Sequence, residues 1–335
     1  MKPVNVAIVG ATGLVGQEFI RVLKQRHFPA ESIHLFASDR SHGKRMKVGD
    51  DELTVRETSA ASFEGIEIAL FSAGADISRH FSPIAASTGA TVVDNSAAFR
   101  MDAEVPLVVP EVNPEDIRQH RGIIANPNCS TIQMVVVLYP LHRVNPIKRV
   151  IVSTYQAVSG TGAAAVEELM IQSGQVLNKE ETSPKVYPYQ IAFNVLPEID
   201  VFMDNGYTKE EWKLVEETRK IMHVPDLAVS ATCVRVPAII GHSESVHVEF
   251  TSPMSVAEAK GILSQTSGVR VMDDPSQHLY PYPLAAAGQD DVYVGRIRQD
   301  PSDPNSLLLW IVGDNLRKGA ALNAVQIAER LLEQS

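Results

Sequence analysis

Cysteine is scarce in this sequence, which has only Cys129 and Cys233 among its 335 residues. Two cysteines are too few for a disulfide framework or a zinc site, and they fit a reducing compartment in which a thiol stays available for chemistry. The sequence also has no run of about 18 apolar residues and no signal-peptide pattern at its N-terminus. We therefore expect a soluble, cytoplasmic protein with no bound metal and no membrane contact.

Net charge and length set two further limits. The formal charge is −10, so the protein would repel a phosphate backbone and we expect no nucleic-acid partner. A chain of 335 residues with 44% apolar residues exceeds the usual size of one domain. The length therefore predicts two or three domains, each with its own core.

The N-terminal part alternates short apolar runs with helical or loop stretches. The first run, Val4–Val9, is apolar on both faces, as in a central parallel strand, and a helical spacing of apolar residues follows at 14–24. Further strands are predicted at 33–37, 66–72, 91–93, 107–109 and 123–125. This alternation is typical of an α/β fold with a Rossmann-like, doubly wound parallel sheet.

Beyond Cys129 the pattern changes to longer strands, predicted at 149–158 and 246–250, with helices at 163–176 and 210–222. This pattern favours a second domain of mixed α+β structure. Apolar residues at helical spacing predict an amphipathic helix over 319–332 that packs back on the first domain. The predicted domains are therefore 1–127 plus 316–335, and 128–315.

Three glycines in the segment GATGLVG follow the first strand and begin its helix. In this context a turn presents backbone N–H groups and a helix dipole to a pyrophosphate, which predicts a dinucleotide site. The alternative is a tight turn that serves only close packing. The expected contact residues are Gly10, Thr12, Gly13, Leu14, Val15 and Gly16.

The loop after the second strand carries Ser38, Arg40 and Ser41, with the cations Lys44 and Arg45 close behind. Hydroxyl and cationic groups suit a ribose 2′-phosphate better than a bare 2′-hydroxyl, so the loop predicts NADP rather than NAD. A solvated basic loop without a ligand is the alternative.

Cys129 lies in the segment ANPNCSTIQ, between a predicted strand and a helix that begins near Thr131. The dipole at a helix N-terminus favours the thiolate, which is the nucleophilic form. Asn128 and Ser130 are available to orient the thiol. A buried, apolar cysteine is the alternative, and it is the interpretation that we prefer for Cys233.

Together these motifs resemble the aspartate-β-semialdehyde dehydrogenase family over essentially the whole chain. The resemblance is carried by GATGLVG, ASDRS, NSAAFR ending at Arg100, NPNCSTIQ around Cys129, YQAVSGTG, EEWK, CVRVP and GHSE. The related N-acetylglutamyl-phosphate reductases typically have a glycine before the cysteine and an aromatic residue after it. The resemblance implies NADPH-dependent reduction of aspartyl 4-phosphate to aspartate 4-semialdehyde through a cysteine thioester, on the route to lysine, threonine and methionine.

The resemblance also implies residue roles. Cys129 is expected to be the nucleophile, His242 the general acid/base that activates it, and Gln156 the residue that orients the acyl group. The implied substrate contacts are Arg100 and Lys213 for phosphate, Arg235 for the α-carboxylate, Glu210 for the amino group, and Asn128. The implied nicotinamide-side contacts are Ser159, Gly160 and Asn315, and residues 71–74 are expected to approach the cofactor.

Some of these residues have simpler interpretations. Without the resemblance, Glu210 and Lys213 would be an exposed i,i+3 ion pair, and the segment SGTG a helix N-cap. Glu211 is expected to be structural, because Thr208 and Glu211 have capping-box spacing, and His247 is expected to lie on a surface.

Two other functions compete with the implied one. The first is an enzyme like N-acetylglutamyl-phosphate reductase, and the second is a non-catalytic dinucleotide-binding regulator on the same scaffold. The presence of both Cys129 and His242 argues against the regulator. The resemblance further implies a homodimer or homotetramer associated through the second domain.

Overall fold

The computed structural model describes residues 2–49 and 51–334. Its strands are β1 (Val4–Val9), β2 (Ala30–Ala37), β3 (Arg45–Val48), β4 (Asp51–Thr54), β5 (Arg56–Glu57), β6 (Ile68–Phe71), β7 (Thr91–Asp94), β8 (Ile123–Ala125), β9 (Ile147–Ala157), β10 (Ala228–Val236), β11 (His242–Phe250), β12 (Val269–Val271), β13 (Val292–Asp300) and β14 (Asp303–Gly313). Its α-helices are α1 (Leu14–Gln25), α2 (Ala75–Ser87), α3 (Cys129–Val144), α4 (Ala163–Leu177), α5 (Lys209–Met222), α6 (Val256–Ser264), α7 (Pro283–Ala286) and α8 (Leu322–Gln334). None of the helices in the described ranges is long and apolar enough to cross a bilayer.

The chain divides into two compact units. The first unit is Met1–Asn128 with Ala320–Ser335, and the second is Cys129–Gly319. Relative to the predicted boundaries, Asn128 therefore belongs to the first unit and residues 316–319 belong to the second.

The first unit is built on a parallel sheet of six strands in the order β5-β2-β1-β6-β7-β8. Alternate side chains of β1 enter different cores: Val6 and Ile8 pack in the core that contains α1 and α8, whereas Ala7 and Val9 pack in the core that contains α2. Both faces of the sheet are therefore covered, which explains why β1 is apolar throughout. The predicted doubly wound parallel sheet is confirmed.

The strand predicted at 107–109 is wrong. Only a single parallel bridge forms there, between Leu107 and Ala125. Pro106 and Pro110 flank the segment, and a proline has no N–H to donate to a ladder. The apolar side chains of the segment are nevertheless buried, as a strand pattern would require.

The second unit contains a mixed sheet in the order β10-β9-β11-β14-β13-β12. The outer pairs are parallel and the three inner pairs are antiparallel. The helices α3, α5 and α6 pack against it. The other face is only partly covered, since Ile151 and Tyr155 on β9 are exposed and Trp310 on β14 is half-buried. The predicted mixed α+β structure is confirmed.

The C-terminal helix begins later than predicted. Residues Arg317–Ala321 form a π-helical turn, in which the N–H of Gly319 donates to the carbonyl of Asp314, and α8 follows it. A Cβ at residue 319 would lie 2.8 Å from the Cβ of Cys129, so glycine is needed for the turn to pass this close. The apolar face of α8 packs in a core of the first unit.

Candidate active site and cofactor-binding turn

The glycine turn of the first unit is held by close backbone contacts. Gly10 has φ +86°, and a Cβ on it would lie 2.3 Å from the carbonyl oxygen of Ser72. A Cβ on Gly16 would lie 2.2 Å from the carbonyl oxygen of Gly10. Gly13 is the N-cap of α1, and no side chain caps this helix. The turn therefore offers backbone N–H groups at the start of a helix, which is an arrangement that binds pyrophosphate.

A cleft of about 590 Å³ adjoins this turn within the first unit. Four cations contribute to its lining, which consists of Thr12, Gln17, Ile20, Arg21, Lys44, Arg45, Met46 and Lys47. The hydroxyls of Thr12 and Ser41 lie 3.4 Å apart, which joins the glycine turn to the loop after β2. Arg21 is paired with Glu18 and Arg45 with Glu52, so Lys44 and Lys47 supply the charge that suits an anionic ligand.

Two residues of the predicted cofactor loop lie at the surface. Ser38 precedes a short 3₁₀ turn, Asp39–Ser41, and both Ser38 and Arg40 are exposed. Neither residue lines the cleft. The charge of the cleft comes instead from Lys44 and Lys47.

Cys129 is the first residue of α3 and is half-buried. The helix thus begins two residues earlier than predicted, so the thiol is carried by its first turn. One turn further along α3, the Gln133 amide donates weakly to the backbone carbonyl of His242, at 3.5 Å. The N-terminal turns of α3 therefore lie beside the start of β11, where the predicted acid/base residue stands.

His242 is fully buried at the start of β11, and its protonation is constrained by the backbone. The N–H of Ala157 donates to its Nδ1 at 3.0 Å, so the proton of the neutral ring is on Nε2. Among the described residues, Nε2 has no hydrogen-bond partner. Burial lowers the pKa of His242 to about 3, and the charge of Arg235 adds to this effect. At neutral pH the ring is therefore a neutral donor through Nε2.

Arg235 is the second buried group with an unused donor. Its Nη1 donates to the carbonyl of Ala157 at 2.7 Å, whereas its Nε has no partner among the described residues. A Cβ on Gly160 would lie 3.0 Å from this Nη1 and 3.3 Å from Nε2 of His242. The side chains of Arg235 and His242 therefore both lie close to Gly160, and a methyl group there would force one of them to shift.

Gln156, Glu210 and Lys213 form one chain of polar contacts. Gln156 accepts from the Thr154 hydroxyl and donates to Glu210, each at 3.0 Å. Lys213 donates to Glu210 and to Asp200, again at 3.0 Å. Burial alone would lower the pKa of Lys213, but the two carboxylates outweigh burial and raise it well above its ordinary value. Since the Glu210 side chain is only 7% exposed, this is not the exposed pair that spacing alone suggested.

Asn315 connects two segments of the predicted site. Its amide donates to the Ser159 hydroxyl at 2.9 Å, and its Oδ1 accepts from the Gly241 N–H at 2.9 Å. The segment SGTG does precede α4, but Gly162 is the N-cap and no side chain caps the helix. Ser159 is thus committed to Asn315 rather than to a helix cap.

Arg100 and Asn128, the two predicted substrate residues of the first unit, are buried. The guanidinium of Arg100 donates from Nε to the carbonyl of Asn126 and from Nη2 to the carbonyl of Asn95, each at 2.9 Å. Two backbone carbonyls thereby fix the plane of the guanidinium.

Cys233, Glu211 and His247 were expected to have structural roles, and His247 lies deeper than the expected surface position. Cys233 is fully buried, and burial raises the pKa of its thiol. Thr208 and Glu211 form a capping box at the start of α5, and His247 is half-buried and bonds to Asp300. Among the described residues, no group of three or more His, Cys, Asp and Glu side chains could hold a metal ion.

Three residues at or beside the candidate site were not predicted from the sequence. Asp200 follows no motif, although its φ of +68° marks an unusual turn. Ala157 acts only through its backbone, which a side-chain pattern does not show. Glu244 is fully buried on β11, and burial raises its pKa, which Gln133 offsets in part.

Comparison with known proteins gives consistent matches along the chain. The model for "Semialdehyde dehydrogenase, NAD binding domain" matches residues 5–120, and that for "Semialdehyde dehydrogenase, dimerisation domain" matches residues 138–318. The aspartate-semialdehyde dehydrogenase of Bacillus subtilis is 54% identical, with 98% of each chain covered.

Solved structures agree with these matches. The crystal structure of aspartate semialdehyde dehydrogenase II from Vibrio cholerae complexed with ASA has a TM-score of 0.96 and 46% identity, with 99% of each chain covered. The aspartate semialdehyde dehydrogenase with NADP from Candida albicans has a TM-score of 0.76 and 27% identity, also with 99% of each chain covered. The predicted resemblance is confirmed, and the chain belongs to the aspartate-semialdehyde dehydrogenase family of oxidoreductases.

Proposed function

We propose that the chain catalyses the NADPH-dependent reductive dephosphorylation of aspartyl 4-phosphate to aspartate 4-semialdehyde, in the biosynthesis of lysine, threonine and methionine. The observation that carries this proposal is the buried polar cluster of the second unit. Arg235 has an unpartnered Nε that suits a carboxylate, and the buried carboxylate of Glu210 suits an ammonium group. An amino acid carries both of these charges.

Cys129 would act as the nucleophile. As a thiolate at the start of α3 it attacks the acyl carbon of the substrate, and the bond from that carbon to the phosphate oxygen breaks. Phosphate is the leaving group, Arg100 and Lys213 are the residues proposed to bind it, and Cys129 retains the acyl group as a thioester. Gln156 and Asn128 orient the acyl group during this step.

His242 would stabilise the next species. Reduction of the thioester carbonyl leaves a tetrahedral oxyanion on the carbon attached to Cys129, and the Nε2–H of His242 donates to this oxygen. When the carbon–sulfur bond breaks, the aldehyde is released and the thiolate is restored. A neutral ring can donate a hydrogen bond from Nε2, and this supports the general-acid part of the acid/base role that the family resemblance implied.

The glycine turn of the first unit fits a dinucleotide, because side chains on Gly10 and Gly16 would clash with the backbone that forms it. The residues proposed to hold the cofactor are those of the turn, with Ser38, Arg40, Ser41, Ser159, Gly160 and Asn315. When bound, NADPH supplies a hydride. Lys44 and Lys47 in the adjoining cleft, and the relative from Candida albicans whose structure includes NADP, support NADP over NAD.

A homodimer or homotetramer in the cytoplasm is the proposed form of the enzyme. The matched description of residues 138–318 as a dimerisation domain supports association through the second unit. The partly covered sheet face there, with Tyr155 37% exposed, supports it as well. Sedimentation analysis at several concentrations measures the oligomeric state directly.

The test of the proposed reaction is phosphate-dependent reduction of NADP by aspartate semialdehyde, followed at 340 nm with the purified protein. We expect no turnover without phosphate and slower turnover with NAD. Better turnover of N-acetylglutamate semialdehyde would instead assign the chain the reductase-like function. A protein that binds NADP but turns over neither aldehyde would be the non-catalytic regulator.

A further inference from the structure

A network of asparagines adjoins the guanidinium of Arg100 in the first unit. Asn126 and Asn323 are both fully buried, and Asn323 is on the C-terminal helix α8. The amide of Asn323 donates to Oδ1 of Asn126 at 2.8 Å and to the carbonyl of Val108 at 2.9 Å. One amide group therefore joins α8 to two segments that precede Cys129 in the sequence.

Asn126 connects Asn323 to Arg100 through hydrogen bonds. Its own amide donates to Oδ1 of Asn95 at 2.6 Å, and its backbone N–H donates to the carbonyl of Asp94 at 2.8 Å. The carbonyls of Asn126 and Asn95 then accept the two hydrogen bonds from Arg100. The two acceptors of the guanidinium are thus tied to each other, so they keep a fixed separation and direction.

The chemistry of the groups gives a reason for this arrangement. An arginine recognises a phosphate best when its planar fork is already oriented, because less conformational entropy is then lost on binding. The carbonyls of Asn95 and Asn126 accept from two nitrogens of the fork, and these two hydrogen bonds hold its plane. Asp94, a buried acid that accepts from the hydroxyls of Ser78 and Ser96, also interacts electrostatically with Arg100.

We propose that Asn323 is a positioning residue for phosphate: through Asn126, it holds the guanidinium of Arg100 in the orientation that binds the phosphoryl group of the substrate. This inference rests on the proposed function, because it takes Arg100 as a phosphate ligand. It makes α8 part of the phosphate site, although no residue of that helix was singled out from the sequence.

The test is Asn323→Asp, which keeps the size of the side chain but replaces the donating amide with an acceptor. In the phosphate-dependent oxidation of aspartate semialdehyde, we expect the KM for phosphate to rise about tenfold, the size of one or two buried hydrogen bonds. The KM values for the aldehyde and for NADP should stay within twofold of wild type. Calorimetric titration with inorganic phosphate should show the same loss of affinity without turnover.

A matched control is Asn145→Asp in the second unit. Asn145 is also buried, and its amide donates to the carbonyl of Ser252 at 2.8 Å. We expect this variant to have a lower melting temperature but an unchanged KM for phosphate. Asn323→Ala, which removes the donor without adding a charge, is the second variant if Asn323→Asp does not fold.

Coupling to Arg100 separates positioning from a general packing effect. In an Arg100→Lys background, Asn323→Asp should change phosphate affinity by less than twofold, because the planar fork that Asn323 orients is no longer present. An equal loss in both backgrounds would overturn the proposal. It would also fail if Asn323→Asp lowered the melting temperature as Asn145→Asp does while leaving phosphate affinity unchanged.

The proposed function can fail separately. If wild-type protein shows no phosphate-dependent reduction of NADP, the assigned reaction is wrong. The calorimetric comparison of wild type and Asn323→Asp then tests the positioning role by itself, and equal phosphate affinities would overturn it.

Discussion

The two units of this protein form their functional regions from different kinds of groups, backbone atoms in the first and side chains in the second. In the first unit the cofactor turn depends on backbone atoms and on the absence of side chains at Gly10 and Gly16. In the second unit the candidate site consists of buried polar side chains, among them Glu210, Arg235 and His242. The contrast indicates which substitutions each region tolerates: added volume damages the first, whereas loss of a donor or acceptor damages the second.

The largest effect is expected at the thiol. Cys129→Ser should lower kcat by about four orders of magnitude or more, because the hydroxyl is a far weaker nucleophile at neutral pH. NADP affinity should stay near that of wild type, since Cys129 is not among the residues proposed to hold the cofactor. Steady-state rates and fluorescence titration with NADPH measure the two quantities. An unchanged rate would remove Cys129 from the chemistry.

A smaller but still large effect is expected for His242→Asn. Loss of the Nε2–H donor should lower kcat by roughly 10²–10⁴-fold with little change in the KM for the aldehyde. The matched control is His247→Asn, at a half-buried histidine on the same strand that bonds to Asp300. Wild-type turnover in the His242 variant would contradict its role.

Added volume should damage the glycine turn. Gly16→Ala places a methyl group about 2.2 Å from the carbonyl oxygen of Gly10. The backbone must then shift, which should lower the free energy of unfolding by roughly 1–3 kcal/mol and weaken NADP binding. Gly174→Ala is the control, because this glycine is also helical and its Cβ would meet nothing within 4 Å. The control should gain roughly 0.5–1 kcal/mol. Urea unfolding of both variants checks this, and equal effects would contradict the close approach.

Stability against acid should depend on His242. Its pKa is about 3 in the folded protein, below the ordinary value of 6.5, so its contribution is complete above pH 6.5. It is lost as the pH falls from 6.5 towards 3, because only the unfolded chain takes up the proton. The loss should approach about 1.4 kcal/mol per pH unit within this window. In urea unfolding at pH 7.5, 6 and 5, wild type should lose more stability than His242→Asn, and parallel losses would contradict the shift.

The smallest predicted effect concerns the cofactor loop. Arg40→Ala should weaken NADPH by about tenfold and NADH by much less if its guanidinium reaches the 2′-phosphate. Lys44→Ala is the informative companion, because Lys44 lines the cationic cleft and Arg40 does not. A loss confined to the Lys44 variant would move the 2′-phosphate contact into the cleft, and equal losses for NADPH and NADH would remove it.

Much of the fold followed from local patterns. The apolar run at β1, the glycine turn and the amphipathic α1 specify a strand, a turn and a helix without help from distant residues, and all three were predicted. The segment 107–109 shows the limit, because its prolines prevent a ladder while its burial imitates a strand. Apolar periodicity indicates that a segment is buried. Whether the segment forms a strand or a single bridge depends on the backbone N–H groups that it can contribute to a ladder.

The candidate site residues that came from the sequence are those that a motif supplied, as around Cys129 and His242. Asn323 and Asp200 were missed because each acts through a partner that is distant in the sequence: Asn323 bonds to Asn126, and Asp200 to Lys213. Neither composition nor spacing predicts such pairs. They form only because the fold brings residues that are distant in the sequence into contact.

The backbone of Ala157 contacts two residues of the candidate site. Its N–H donates to His242 and its carbonyl accepts from Arg235, so the two peptide groups that meet at this residue connect the proposed proton donor to the proposed carboxylate binder. Replacing the side chain of residue 157 leaves both bonds in place, and alanine scanning is therefore blind to this link. Backbone chemistry, such as an amide-to-ester exchange introduced by semisynthesis, would remove the N–H and measure what the scan cannot.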